Sequence, residues 1–147
     1  MLKYLSLVLL VIFLFSCNCY QQVDKPKKSG LLSYEIIDQG AHSGIKKTQN
    51  VVFNSKEEFY NFFKNYKVPK SEININFNKH TVVGIFLGQQ TTGSISINIQ
   101  KIVDQDNKVI IFYTVKAGAI ATMVMTEPYL LIQIPKTNKP IDFQLLK

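Results

Sequence analysis

Apolar and polar positions divide this chain into three stretches: an almost unbroken apolar head, a short polar run without period, and a long remainder dominated by two-residue alternation. Within the remainder, residues 31–38 (LLSYEIID) alternate mildly and predict a strand. Residues 39–47 hold two glycines and no period, so they predict a loop, and residues 50–53 a short strand. Ser55-Lys56-Glu57-Glu58 has the form of a capping box, with Ser55 at the N-cap and Glu58 three positions on. It opens a helix in which Phe59, Phe62, Phe63 and Tyr66 recur at i, i+3, i+4 and i+7, an aromatic face suited to packing on a sheet. Pro69 is the expected stop, since the position before a proline disfavours helix.

The second half is strand-like throughout. Residues 73–77 (ININF) alternate strictly, and residues 81–87 (TVVGIFL) form a continuous apolar run ended by Gly88, as a central strand would. Ile95, Ile97 and Ile99 share one face of residues 94–103 before the alternation slips phase. Residues 104–107 (DQDN) carry a hairpin-turn composition, and residues 108–116 return as a strand. Residues 117–126 (AGAIATMVMT) are apolar but weakly patterned. Residues 129–134, between Pro128 and Pro135, read as a strand with an edge open to a partner, and residues 141–146 as the last strand. The expected fold class is α+β: a mainly antiparallel sheet or sandwich with one amphipathic helix, preceded by a signal peptide.

The head changes where this domain is expected to live. Lys3 gives a positive start, and residues 5–15 are apolar apart from Ser6. That run is short of the roughly 20 residues needed to cross about 30 Å of hydrocarbon, and it fits the core of a secretory signal peptide. Leu14-Phe15-Ser16-Cys17 resembles a bacterial lipobox, with a branched apolar residue three before the cysteine and a small one just before it; Phe15 departs from the small residue commonest at its position. The resemblance implies a lipoprotein signal peptide over residues 1–16 and lipidation at Cys17; the polar, aperiodic run that follows reads as a flexible tether over 17–30, ahead of a β-rich domain over 31–147. Two or three acyl chains on one cysteine anchor stably where one does not. Cys17 and Cys19 are the only cysteines, so no disulfide staples the domain, and Cys19 is left free, acylated or paired with another chain. The expected location is the cell envelope, lipid-anchored, at the outer membrane, because Asn18 replaces the acidic residue associated with inner-membrane retention.

Charge narrows the partners. The formal net charge is +7, and every basic residue is a lysine. Base-edge readout and bidentate phosphate clamping favour the planar guanidinium, and the lysines are dispersed, so no nucleic-acid partner is expected. A solvated basic surface facing acidic membrane components fits better.

No catalytic constellation emerges. His42 and His80 have no carboxylate at a metal-ligand spacing, and the HExxH and CxxC patterns are missing from the domain. No cysteine nucleophile lies past residue 19, and there is no GxSxG elbow. Glu57 and Glu58 suit a helix start, and Asp104 and Asp106 suit a turn. The loop from Gly88 to Gly93 lacks the GK[ST] of a phosphate cradle. No catalytic residue, metal or cofactor is expected, and the chain reads as a non-enzyme.

Residues 82–97 (VVGIFLGQQTTGSISI), with Thr126-Glu127-Pro128-Tyr129 and Ile134-Pro135-Lys136, resemble the protease complex subunit PrcB family, especially its C-terminal domain. That family shows Asp-Phe before an apolar strand, then Leu-Gly, a TGGY-like turn, and a late Pro-Tyr followed by an apolar strand and Ile-Pro-Lys. Here Asn76-Phe77 stands at the Asp-Phe, Thr92 and Gly93 match the turn, and Ser94 and Ile95 replace its second glycine and its tyrosine. The resemblance runs over residues 44–136 and includes the Glu-Glu-Phe of the helix. It implies a lipid-anchored, non-catalytic accessory protein that binds and stabilises, or helps mature, an exported protease, with Thr92, Gly93, Pro128 and Tyr129 as partner-binding residues.

Two other readings stand beside it. Thr91-Thr92-Gly93 is similar to the inhibitory loops of chagasin-like protease inhibitors, without the aromatic after the glycine. A ligand carrier or an enzyme with an unrecognised site would need a deep pocket lined by His42, Glu127 and Tyr129. The anchor has a direct test. Metabolic labelling with an alkyne fatty acid in the host should mark the wild-type chain and leave Cys17→Ala unmarked; label on both, or on neither, sinks the lipidation at Cys17.

Overall fold

The structure is a computed structural model that describes residues 30–66, 68, 73–91, 93–118 and 124–147. The signal peptide, Cys17, Cys19, the tether as far as Ser29, Pro69 and Thr92 lie outside the described residues. The elements are β1 (Gly30–Leu31), β2 (Glu35–Gly40), β3 (Thr48–Phe53), α1 (Lys56–Phe63), β4 (His80–Leu87), β5 (Ile95–Asp104), β6 (Val109–Ala117), β7 (Tyr129–Pro135) and β8 (Ile141–Leu145).

They form two four-stranded sheets, one in the order β1-β5-β6-β8 and the other in the order β2-β7-β4-β3. All pairings are antiparallel except β6 with β8, which is parallel. The α+β expectation holds, with one parallel pair in an otherwise antiparallel architecture. Two apolar layers separate three layers of structure. Between the sheets lie Val83 and Ile85 of β4, Leu130, Ile132 and Ile134 of β7, and Ile97, Ile102, Val109, Ile111 and Tyr113 of β5 and β6. Val82, Phe86, Tyr129 and Leu131 point the other way and meet Phe53 and the helix residues Phe59 and Phe63. Strands buried on both faces read as unbroken apolar runs, which is the pattern of β4 and β7. Residues 129–134 are therefore not an edge: β7 sits between β2 and β4, so the expectation of an open edge there is corrected.

The helix begins as its sequence dictates. The Ser55 hydroxyl accepts from the Glu58 amide at 3.1 Å, and the Glu58 carboxylate accepts from the Asn54 amide at 2.8 Å. The return bond thus reaches one residue upstream of the N-cap. Phe59 and Phe63 are buried and Phe62 half-buried, while Tyr66 stays at the rim. Phe53 is the hub of this layer, with ring centroids 5.3 Å from Phe59, 5.2 Å from Phe62 and 5.6 Å from Phe63. The helix ends at Phe63, ahead of Pro69, because the Tyr66 amide turns back to the Phe63 carbonyl at 2.9 Å and closes the last turn tightly.

Alternation elsewhere fixes sidedness without fixing a partner. Residues 73–76 are not a strand: Ile73, Ile75 and Phe77 pack inward against the helix-side cluster, but no strand lies beside them. The stretch expected as one strand over residues 31–38 is broken, because the chain leaves the first sheet after Leu31 and joins the second at Glu35. Leu32 packs between the sheets at the crossing. The phase slip in β5 is a bulge between Ile99 and Lys101, which restores Ile102 to the core. The expected turn at DQDN is a hairpin closed by the Gln105 amide on the Lys108 carbonyl at 2.8 Å.

Phe59 is fully buried at the centre of the helix-side layer, whereas its neighbour Tyr60 is 46% exposed. Phe59→Ala should cost about 3–5 kcal/mol in urea unfolding, and Tyr60→Ala under about 1 kcal/mol. Equal losses would mean that the helix does not pack as described.

Candidate functional site

The family-like residues of the loop 88–93 and of residues 126–129 meet at one end of the sandwich, whereas Ile134, Pro135 and Lys136 stand at the other, beside His80 and Lys79. β4 ends at Leu87, and Gly88 turns the chain with φ +67°, a conformation that favours glycine. A Cβ there would stand 2.7 Å from the Thr48 amide nitrogen and 2.8 Å from the Lys46 carbonyl, so the missing side chain lets this strand end press on the entry to β3. The following loop is not a hairpin turn: it carries the chain from the second sheet to β5 in the first.

Backbone hydrogen bonds lace this loop to its neighbours. Gln90 and Thr126 exchange bonds of 2.7 and 3.0 Å, and the Gly118 amide donates to the Ser94 carbonyl at 2.5 Å. The Glu127 amide donates to Ala41 at 2.7 Å, the Ser43 amide to Glu127 at 2.9 Å, and the Leu87 amide to Pro128 at 3.0 Å. Residues 126–128 therefore act as a central rung between the loop after β2 and the loop after β4. His42 Nδ1 and Glu127 Oε2 come within 3.8 Å across this rung, although the two residues are distant in the chain. The His42 side chain is 65% exposed there.

Of the four residues expected to bind a partner, Thr92 lies outside the described residues and Gly93 is half-buried on the loop. Pro128 and Tyr129 are buried. Tyr129 donates its hydroxyl to Asp38 Oδ2 at 2.9 Å and stacks on Phe86 at 6.4 Å with an interplanar angle of 16°. Its ring also explains Gly40, where a Cβ would stand 3.0 Å from Tyr129 Cε1. The proline-tyrosine pair thus pins the start of β7 to β2 and holds the rung from below. Burial first, then the hydrogen bond and the negative charge of Asp38, push the Tyr129 phenol above its ordinary value of 10.0.

Two exposed apolar side chains stand on the same end: Val124 at 48% and Met125 at 52%. Their signal in the sequence was the unpatterned apolar run of residues 117–126, too weakly periodic to assign to a core. Asp38 carried no such signal. Beside the loops runs an open groove of about 310 Å³ lined by Gln39, Gly40, Ala41, Ile95, Ser96, Ile97, Pro128 and Tyr129. His42 and Glu127 do not line it, so it is not the pocket that a carrier built on His42, Glu127 and Tyr129 would need. Among the described residues, no three of His, Cys, Asp or Glu are placed to hold a metal ion. At the far end of β4, His80 is half-buried, and among the described residues its Nδ1 is enclosed without a hydrogen-bond partner.

Residues 81–135 match the family model described as PrcB C-terminal. The match begins at Thr81 in β4 and ends with β7, and so contains both the Gly88 loop and the Thr126–Pro128 rung. The resemblance read from those residues therefore holds; the helix, the Asn76-Phe77 pair and Lys136, which the reading over residues 44–136 had included, lie outside the match. No curated protein matches the chain, and no solved structure does.

The Tyr129 phenol gives two expected outcomes. Tyr129→Phe should destabilise the domain by about 1.5–3 kcal/mol, the usual loss for a hydrogen bond to a charged, partly buried partner. In the wild type, Tyr129 makes no pH-dependent contribution while both states keep the proton, below the ordinary value near 10.0. As pH rises beyond it, the unfolded chain loses a proton that the folded chain retains, so stability falls. Denaturant midpoints across this range should fall more steeply for the wild type than for Tyr129→Phe; parallel curves would refute the assignment.

Proposed function

We propose that this chain, whose residues 81–135 match the PrcB C-terminal model, is a lipid-anchored, non-catalytic accessory subunit that binds an exported protease at the cell envelope and stabilises it or assists its maturation. The observation that supports this best is the position of the family segment, which contributes two of the three laced loops at one end of the sandwich. Loops held by backbone bonds on a rigid sandwich are suited to presenting a contact surface. Val124 and Met125 supply its apolar centre: both side chains are about half exposed at this end, and methionine adapts to varied partners. Pro128 and Tyr129 serve this surface from beneath, by positioning the rung, while Gly93 lies on the loop itself. The Leu14-Phe15-Ser16-Cys17 stretch motivates the lipid anchor, and the absence of an acidic residue after Cys17 motivates an outer-membrane location.

The double substitution Val124→Asp with Met125→Asp should leave the unfolding midpoint near that of the wild type, because both side chains are already half exposed. It should abolish co-purification of the protease from detergent-solubilised envelopes of the host. Recovery of the same protease with both proteins would move the contact elsewhere, and no protease with the wild type would overturn the accessory role. Inhibition of a purified cysteine or serine protease by the isolated chain would instead favour the chagasin-like alternative.

A further inference from the structure

Among the described residues, the longest strand is bare along most of one side. β5 runs from Ile95 to Asp104, yet its outer neighbour β1 pairs with Val103 and Asp104 alone, and Leu32 adds one bond to the Ile102 carbonyl at 2.9 Å. From Ile95 to Lys101 no strand adjoins that edge among the described residues. The direction of the unused groups follows from the register. Ser94 and Gly118 are bonded across β5 and β6, so Ser96 and Asn98, two and four residues on, also face β6. The amide and carbonyl groups of Ile95, Ile97 and Ile99 therefore point outward. The Tyr34 hydroxyl approaching the Ile99 carbonyl at 3.5 Å agrees with this direction.

We propose that this outer edge of β5 is an attachment strip for an extended, uncharged segment of the partner protein, which adds to the first sheet as a further antiparallel strand in line with β1. The inference names how the partner attaches, and so rests on the accessory reading. Exposed edges accept strands in this way: backbone bonds supply affinity, and pockets for alternate side chains supply specificity. Here the pocket is the open groove of about 310 Å³ between Ile95 and Ile97 on one side and Gly40, Pro128 and Tyr129 on the other. Added residues opposite Ile95 and Ile97 would turn their side chains into it, so apolar residues fit at alternate positions. The intervening residues would lie beside Ser96 and Asn98, an uncharged row that suits hydrogen-bonding side chains such as threonine. The bulge before Lys101 limits the strip to about six residues.

The register also disfavours the other occupants. Gly30 pairs with Asp104, so the chain preceding β1 leads away from the strip rather than along it. A second copy would bring together two chains that each carry a net charge of +7.

The test uses the isotope-labelled full chain and an acetylated, amidated hexapeptide that alternates valine with threonine. In the free chain the Ile95 and Ile97 amides should exchange freely, and those of Ser96 and Asn98 slowly. Excess peptide should slow Ile95 and Ile97 by about tenfold or more, as pairing in a sheet does. The same peptide with N-methylated valines should have no effect. An unchanged exchange rate at millimolar peptide, or an equal response to the N-methylated peptide, overturns the proposal. So does protection in the free chain: if it rises with protein concentration the edge belongs to a second copy, and if not, to the chain's own upstream segment. No protease enters this titration, so a chain that takes the peptide but recovers no protease from the envelope refutes the accessory reading alone.

Discussion

The two strands covered on both faces, β4 and β7, are the constraint from which the rest of the domain follows. Seven antiparallel partners run from His80–Pro135 to Phe86–Tyr129, and every residue of β4 from Thr81 to Phe86 is buried. Odd positions of β4 enter the space between the sheets and even positions enter the aromatic layer beneath the helix. A change of one residue in their register would exchange these two sets. That would drive Phe86 into a space filled by valine and isoleucine, and it would remove the ring on which Tyr129 stacks. The laced loops inherit their placement from this pair, since Leu87 and Pro128 are its last bonded residues and the Gln90–Thr126 rung continues directly from them.

Much of this was legible along the chain, and the parts that were not share a physical cause. The capping residues Ser55 and Glu58 act within one turn of helix, so a local pattern suffices to identify them. The phase slip after Ile99 announced a bulge because side-chain alternation is itself the register of a strand. The unbroken run of residues 81–87 announced a strand with two buried faces. Alternation, however, reports which side of a segment is apolar and not what lies beside it. Residues 73–77 alternate because one side of an extended segment rests on the helix, and no ladder is required. Residues 31–38 alternate across a change of sheet. The parallel pairing of β8 has no local signature, since nothing in five residues records the direction of a neighbour.

The candidate site shows the same division. Pro128 and Tyr129 were identifiable as unusual residues, but their burial depends on Asp38 and Gly40, which arrive from a different strand. A tyrosine with a polar handle is as much at home under a surface as on it. Val124 and Met125 were hidden for the opposite reason: apolar residues without a period give no indication of facing water.

One property of β5 sets the outline of the described domain. The chain enters the domain at Gly30, beside Asp104, whereas Ile95 and the loops that precede it stand at the other end of the same strand. Ten residues of strand span about 30 Å. A domain held to a surface by its N-terminal end therefore has a base and a crown: attachment enters below the hairpin turn, and the laced loops stand on the opposite side. With the proposed anchor in place, such a domain would stand as a post, keeping the laced loops clear of the layer it is rooted in and setting a minimum height for anything bound there.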